Sequence, residues 1–319
     1  MRIVLLCHGT VLLPAITTLA SQNLLVGIAV PNIQPVVNQA IHQTAVSLNL
    51  PFTYLAKEDL NSQLTSWLHD LRPDVVCMMG FPFKIPEGVL TLPRFGFFNL
   101  HGGKLPQYAG PDPIFWQLKN IEPDSAITVH RVENSMDSGL VAHVEPVPLG
   151  SEDTYGMVLQ RLGNLLPRAL VAFIQQLAIH GNNIALLAQK KCNRSYCNRP
   201  TEADQTIDWT LSARRIDALV RACNPVFGGA LTFIKGMPVR ILHVTAGEEL
   251  TQELPQPGTI VGTDVGKGIE VICGRRQTLY VDIFCSECGI FTGFQFSKLF
   301  QIKPHDFLGN HRIKAAKIV

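Results

Sequence analysis

From Arg2 to Gly150 short apolar runs alternate with stretches of helical spacing, and few folds accept that alternation. "RIVLLC" precedes a helix expected near Leu12–Ser21, "LLVGIAV" one near Val37–Leu48, and "FTYLA" one near Leu60–Leu71; "DVVCMMG" and "FGFFNL" follow. Runs this rich in Val, Ile, Leu and Phe fit strands buried on both faces, and the helices between them supply the crossovers that parallel strands need. The spacing therefore predicts an α/β fold: a Rossmann-like, mostly parallel sheet with helices on both faces. In such sheets ligands collect beyond the carboxyl ends of the strands.

Two further strands, "SAITVHRV" and "LVAHVEPVPL", flank the turn "ENSMDSG". A long helix is expected over Glu152–His180, capped by Ser151, with Glu152 and Asp153 in its first turn. The chain then turns polar, which places a first domain at 1–190, a linker at 191–205 and a second domain at 206–319. In the second domain a short helix, "SARRIDALVRAC", leads into strand-like runs broken by Gly and Pro: "GALTFI", "PVRILHVTA", "GTIVGT", "IEVICG" and "TLYVDIF". That pattern predicts a small open β-barrel, OB-like in type. "GTDVGKG" lies among these strands and reads as a hairpin turn.

Composition narrows the partners. With 319 residues and 46% hydrophobic content the chain can bury two cores. Lys and Arg number 27 against 25 Asp and Glu, and both halves are close to neutral, so neither is a magnet for nucleic acid. Eight cysteines scattered through apolar runs do not make a disulfide framework, and reduced, cytoplasmic thiols are expected. Cys285 and Cys288 form a CxxC, and Cys192 and Cys197 a looser pair, but their distance in sequence disfavours a zinc site, and no metal is expected. His8, Gly9 and Thr10 interrupt the first apolar run, which argues against a secretory signal. No uninterrupted apolar stretch is long enough to span a bilayer.

The stretch "FFNLHGGKLPQYAGPDP" sets Asn99 and His101 two residues apart at the end of an apolar run. Residues i and i+2 of a strand share a face, so both point the same way where the strand gives out into a loop. One reading is an ordinary strand end with a hydrogen-bonded Asn and a partly exposed His. The other is a site. A nearby carboxylate, with Asp137 of "MDSG" the candidate, would orient His101 and favour its charged form. Asn99 can donate hydrogen bonds to an oxygen that becomes negative when a carbonyl is attacked. Such a trio suits acyl transfer without a covalent intermediate. The chain lacks G-x-S-x-G, H-E-x-x-H, a Walker-type loop and G-x-G-x-x-G. His130 and His143 read as structural; His8 ends a parallel strand and stays a candidate.

"FNLHGGKLPQYAG", followed by Asp137, resembles the formyltransferases that use 10-formyltetrahydrofolate, which pair N-x-H with an S-L-L-P-x-Y-x-G loop and an L-D-x-G turn. "RPTEADQTIDWTLSARRIDALVRACNPVFGGALTFIKGMPVRIL" and the final "HDFLGN" are similar to the C-terminal domain of methionyl-tRNA formyltransferase, an open barrel. The resemblance implies that Asn99, His101 and Asp137 are the catalytic residues and that 10-formyltetrahydrofolate is the co-substrate. It places the pterin near Gly80, Phe81, Pro82, Phe83, Lys84 and Ile85, and near Asn134, Met136 and Gly139. Candidate substrate contacts are His8, Gly9, Lys104 and Tyr108.

This chain departs from the pattern where substrate choice is made. Gly103-Lys104-Leu105-Pro106 replaces S-L-L-P, removing a hydroxyl and adding an amine that either meets an anionic group of the substrate or is a solvated loop lysine. "GPDPIFW" is closer to the sugar and peptide formyltransferases. After the second strand, "VPNIQPVVNQAIHQTAV" has no Lys or Arg where the tRNA enzyme carries a basic insertion. The expected acceptor is a small amine, a nucleotide-linked amino sugar or an amino-acid derivative. Methionyl-tRNA is disfavoured, and hydrolysis of the folate donor and a non-catalytic scaffold remain alternatives. Self-association is left open.

Overall fold

The computed structural model describes residues 1–190, 194–249 and 255–309. Its contacts divide the chain into two compact units: Met1–Pro113 with Pro123–Leu149 and Leu159–Asn198, and Ile114–Glu122 with Gly150–Val158 and the chain from Arg199 onward.

The first unit contains β1 (Ile3–Cys7), α1 (Leu13–Ser21), β2 (Leu25–Pro31), α2 (Gln39–Ser47), β3 (Phe52–Leu55), α3 (Leu60–Leu71), β4 (Val75–Met79), α4 (Glu87–Leu90) and β5 (Phe97–His101). After α5 (Pro113–Lys119), which belongs to the second unit from Ile114 on, come β6 (Asp124–Arg131), β7 (Val141–Pro148) and α6 (Tyr155–His180), the last in the first unit from Leu159 on. The strands form one sheet of order β3-β2-β1-β4-β5-β6-β7. Strands β1 to β5 run parallel, while β6 pairs antiparallel with β5 and β7 antiparallel with β6. The expected α/β architecture is therefore present. Strand order reverses between β1 and β4, the switch point at which doubly wound sheets open a crevice.

Apolar residues explain both layers. Leu60, Leu64 and Leu68 recur every four residues along α3 and pack with Val4, Leu6, Val76 and Phe97 of the sheet. On the other face Phe98 meets Phe173 of α6, ring centroids 4.6 Å apart; removing the Phe173 ring would cost about 3–5 kcal/mol. The helix starts at Tyr155, later than expected, because the Thr154 hydroxyl and not Ser151 accepts a first-turn N–H, that of Met157 at 3.3 Å. By length and composition α6 could cross a membrane, but its apolar stripe of Leu162, Leu166, Leu170, Phe173 and Leu177 is buried in the protein.

The second unit contains α7 (Glu202–Gln205), α8 (Ala213–Cys223), β8 (Ala230–Ile234), β9 (Met237–Glu249), β10 (Ile260–Asp264), β11 (Gly268–Cys273), β12 (Gln277–Ser286), β13 (Gly289–Thr292), α9 (Gly293–Leu299) and β14 (Leu308–Gly309). Its sheet is antiparallel throughout, in the order β10-β11-β12-β9-β8-β14, with β13 paired to β12. It curls: the N–H of Ile260 bonds to Asp306 and that of Leu308 to Gly258, so the last strand reaches back to the start of β10. Phe284, Phe296 and Phe300 stack inside, each neighbouring pair 4.4 Å apart. "GTDVGKG" forms the β10–β11 hairpin, where Asp264 accepts the N–H groups of Gly266 and Lys267.

Candidate active site

Strand β5 delivers the two residues singled out by their spacing. Phe97 and Phe98 anchor it on opposite faces, and Asn99 and His101 follow on the face of Phe97 as the strand runs out. Because β6 returns antiparallel, Asn99 stands level with His130. The turn after β6 then brings Asp137 to the same edge.

These four side chains form one cluster. Asn99 Nδ2 lies 3.3 Å from Asp137 Oδ1 and 3.1 Å from His130 Nε2. His101 Nδ1 lies 3.7 Å from Asp137 Oδ2, and His130 Nε2 is 3.3 Å from Asp137 Oδ1. The Gly110 N–H donates to Asp137 Oδ2 at 2.9 Å, and His101 Nε2 sits 2.7 Å from the Tyr108 carbonyl. Since a carbonyl only accepts, His101 carries a proton on Nε2, and in the neutral ring its Nδ1 lone pair turns toward Asp137. His130 Nδ1 lies 3.0 Å from the Arg131 carbonyl, which fixes a proton there; Nε2 accepts from Asn99 in the neutral ring and donates to Asp137 Oδ1 in the charged one.

Burial alone would raise the Asp137 carboxyl. The His130 hydrogen bond, the charge of His101 and the Gly110 N–H outweigh it and hold the carboxyl at about 2. His101 moves down from its ordinary value because it is buried, with Asp137 and the Tyr108 carbonyl opposing that shift. The pair therefore presents an ionised carboxylate beside an imidazole that burial keeps neutral.

His130 is the member that sequence reasoning passed over. Its signal was the reversal of strand direction after β5, which sets "TVHRV" beside "FFNLH", but that pairing is not visible in a single run of letters.

The remaining candidates fall along the same sheet edge. His8 and Gly9 follow β1, where Asn38 Oδ1 lies 3.1 Å from His8 Nδ1 and accepts the Gly9 N–H at 3.1 Å. Asn38 itself is fully buried. Gly80 follows β4 with φ 67°, and a Cβ there would press on the His8 carbonyl. Of the next loop, Phe81 and Ile85 turn into the core, Pro82 and Phe83 are half-buried, and Lys84 is exposed. In the acid-bearing turn Asn134 and Met136 are exposed, whereas Gly139 is placed where a Cβ would overlap the Arg131 carbonyl. Lys104 pairs with Asp124, so its amine is engaged at the rim. Tyr108 is buried, with φ 58°, and its backbone carbonyl is the group that meets His101.

Among the described residues no three His, Cys, Asp or Glu side chains gather to hold a metal. Cys197 is buried and Cys288 exposed; Cys192 lies outside the described residues.

A formyl transferase family model matches residues 21–174, and a model of the formyl transferase C-terminal domain matches residues 200–289, so the two span most of the chain. The chain belongs to the formyltransferase family. Solved structures agree on the fold of this formyltransferase. HypX from Aquifex aeolicus, crystallised with tetrahydrofolic acid, matches with TM-score 0.63 and 13% identity over 95% of this chain, although this chain spans only 48% of HypX. WlaRD, a sugar 3N-formyl transferase crystallised with dTDP and 5-N-formyl-THF, matches with TM-score 0.65 and 14% identity over 88% of this chain and 96% of its own. The N-formyltransferase from Helicobacter canadensis, with folinic acid and dTDP-3-aminofucose, matches with TM-score 0.64 and 14% identity over 88% of this chain and 98% of its own.

For a formyltransferase the cluster supplies the parts acyl transfer requires: a neutral ring nitrogen, a carboxylate to stabilise that ring once charged, and an amide donor. Both N–H groups of Asn99 face His130 and Asp137, so donating to an oxyanion means giving up the longer bond, that to Asp137.

Proposed function

We propose that this formyltransferase moves the formyl group of 10-formyltetrahydrofolate to the primary amine of a small acceptor, a nucleotide-linked amino sugar or an amino-acid derivative. The observation that carries the reading is the convergence of Asn99, His101 and Asp137, with His101 and Asp137 both buried, at the carboxyl edge of the sheet. The acceptor nitrogen attacks the formyl carbon and its electron pair forms the new C–N bond, while the carbonyl electrons move onto oxygen. Asn99 donates to that oxyanion. The amine proton passes to His101 Nδ1, giving an imidazolium whose two N–H groups face Asp137 and the Tyr108 carbonyl. Collapse of the tetrahedral species breaks the bond to the folate nitrogen, which takes up the proton, and releases tetrahydrofolate and the formamide.

Folate contacts are assigned to Gly80, Phe81, Pro82, Phe83, Lys84, Ile85, Asn134, Met136 and Gly139. Since Phe81 and Ile85 belong to the core, their part is to shape the loop, and the half-buried Pro82 and Phe83 offer the apolar surface. The small acceptor is favoured by the segment after β2, which shows Ile33, Val36 and Val37 to solvent and contains no cation. His8 and Gly9 lie beside it: a Cβ at Gly9 would stand 3.9 Å from Val37 Cγ1. The test is spectrophotometric loss of 10-formyltetrahydrofolate with amino-sugar nucleotides, amino acids and methionyl-tRNA. Turnover that requires one small amine supports the reading; amine-independent formate release makes the enzyme a hydrolase.

One observation favours methionyl-tRNA as a second reading. Arg214, Arg215, Arg275 and Arg276 are exposed, and their guanidinium groups have no partner among the described residues. They lie close together, since Gly274 donates to the Trp209 and Leu211 carbonyls and Ala213 to Gln277 Oε1. Such a patch suits a phosphate backbone. Turnover with charged tRNA alone would establish it.

A further inference from the structure

Two stretches, Leu187–Lys190 and Arg194–Cys197, the second within the expected linker, lie against the two loops that hold the His101–Asp137 pair. Leu187 exchanges two backbone hydrogen bonds with Val141, each 2.8 Å, just past the acid-bearing turn. Gln189 Nε2 then donates to the carbonyls of Asp137, at 3.0 Å, and Gly139, at 2.8 Å. Further on, Ser195 Oγ accepts the Tyr108 N–H at 3.1 Å, and its carbonyl accepts that of Ala109 at 3.2 Å. The Cys197 N–H returns a bond to Ala109 at 2.6 Å. The first stretch thus touches one loop through Gln189, and the second touches the other through Ser195.

Both residues they hold are in the left-handed region, Asp137 at φ 51° and Tyr108 at φ 58°. That conformation is strained for a residue with a side chain and persists only where neighbours enforce it. Gln189 commits its amide nitrogen to the acid-bearing turn, and its Oε1 is buried with no partner among the described residues. Neither Gln189 nor Ser195 belongs to the hydrophobic core.

We propose that Gln189 and Ser195 are positioning residues, Gln189 holding Asp137 and Ser195 holding the Tyr108 carbonyl, and that these two contacts set the spacing of the His101–Asp137 pair. The inference rests on the reading of that pair as the proton-handling centre of formyl transfer. Three groups face His101: the Asp137 carboxylate from the turn, the Tyr108 carbonyl from the loop and His130 from β6. Asp137 and Tyr108 favour the charged ring, while burial and His130 oppose it. Loosening either loop therefore removes support for the charged form and leaves burial to dominate.

The experiment compares the full-length wild type with Gln189→Ala, Ser195→Ala and Ser195→Thr. It follows the His101 titration by nitrogen-15 NMR and, separately, kcat, KM and the pH profile for 10-formyltetrahydrofolate. Expected are a His101 titration moved to lower pH in both Ala variants and a kcat lowered on the order of 10- to 100-fold, as for a misplacement near 1 Å. KM for the donor should stay near the wild-type value, and Ser195→Thr, which keeps the hydroxyl, should restore both readouts. Folded Ala variants with wild-type titration and kcat would overturn the proposal. A shifted titration in variants of a protein that transfers no formyl group would uphold the positioning role and sink the formyl-transfer reading.

Discussion

His101 is held between two acceptors, its Nε2 2.7 Å from the Tyr108 carbonyl and its Nδ1 3.7 Å from Asp137 Oδ2. A neutral imidazole has one N–H and can satisfy only one of them, whereas the imidazolium satisfies both. Burial works against that charge. The ring is therefore held in the form that accepts a proton, with both acceptors in place for the form that has accepted it.

Asp137→Asn removes the charge that stabilises the imidazolium. Its kcat should fall by about 10²- to 10⁴-fold, with KM for the folate donor little changed. Steady-state kinetics decide this; a variant with wild-type kcat would remove Asp137 from the mechanism.

The same carboxylate governs acid stability. Unfolded, it takes up a proton near 3.8; folded, only near about 2. Between those values the unfolded chain binds more protons, so stability is present above the upper value and is lost as pH falls toward the lower one. This group contributes about 2 kcal/mol. Buried His101 adds a loss in the same direction that begins below its ordinary 6.5. Denaturant melts between pH 7 and 2 should show Asp137→Asn less stable at neutral pH and with a shallower decline on the acid side.

His130→Leu leaves the Asn99 amide with one partner and takes a hydrogen bond from Asp137. The Asp137 carboxyl should rise toward its ordinary value, since that bond is the chief influence lowering it. A carbon-13 titration of the carboxyl measures this directly. An unchanged Asp137 would show that His130 does not act on the carboxylate.

At position 103 a Cβ would stand 2.7 Å from Pro113 Cβ and 3.0 Å from His101 Nε2. Gly103→Ala should therefore shift the imidazole away from the Tyr108 carbonyl. Expected are a kcat loss on the order of 100-fold and a destabilisation of about 1–3 kcal/mol, read by kinetics and thermal melting. Intact kcat would mean that the loop yields before the ring does.

If the acceptor is a small amine, Arg275→Ala/Arg276→Ala should leave turnover unchanged. Filter binding of RNA across salt provides the counter-test: retention that weakens steeply as salt rises, and that the double variant abolishes, would move the acceptor toward a nucleic acid.

The first unit was legible because its signals are local. Fully buried strands such as Ile3–Cys7 announce themselves by composition, and α3 by its leucine spacing. Asn99 and His101 were found because two residues on one strand share a face. The second unit was read more coarsely: α9 was missed although Thr292 and Gln295 form a capping box, because aromatic residues in "GFQFSKLF" carry little helical periodicity. His130, Gln189 and Ser195 were invisible for a different reason. Their roles depend on bonds to residues far away in sequence, and neither pattern nor propensity records such pairings.

The reversal of direction between β5 and β6 also means that the acid and the imidazole reach each other from opposite ends of one strand pair. His101 stands level with Thr128 and Phe98 with Arg131, so the β5–α5 loop opens beside the start of β6, where Thr128 Oγ donates to the Gly103 carbonyl, while the β6–β7 turn leaves from the other end and folds back to the cluster. One residue inserted between Arg131 and Gly139 would carry the acid out of register with its imidazole, and one inserted between His101 and Tyr108 would carry the imidazole away from its carbonyl. Two loops set one spacing from opposite ends, and neither can change length alone.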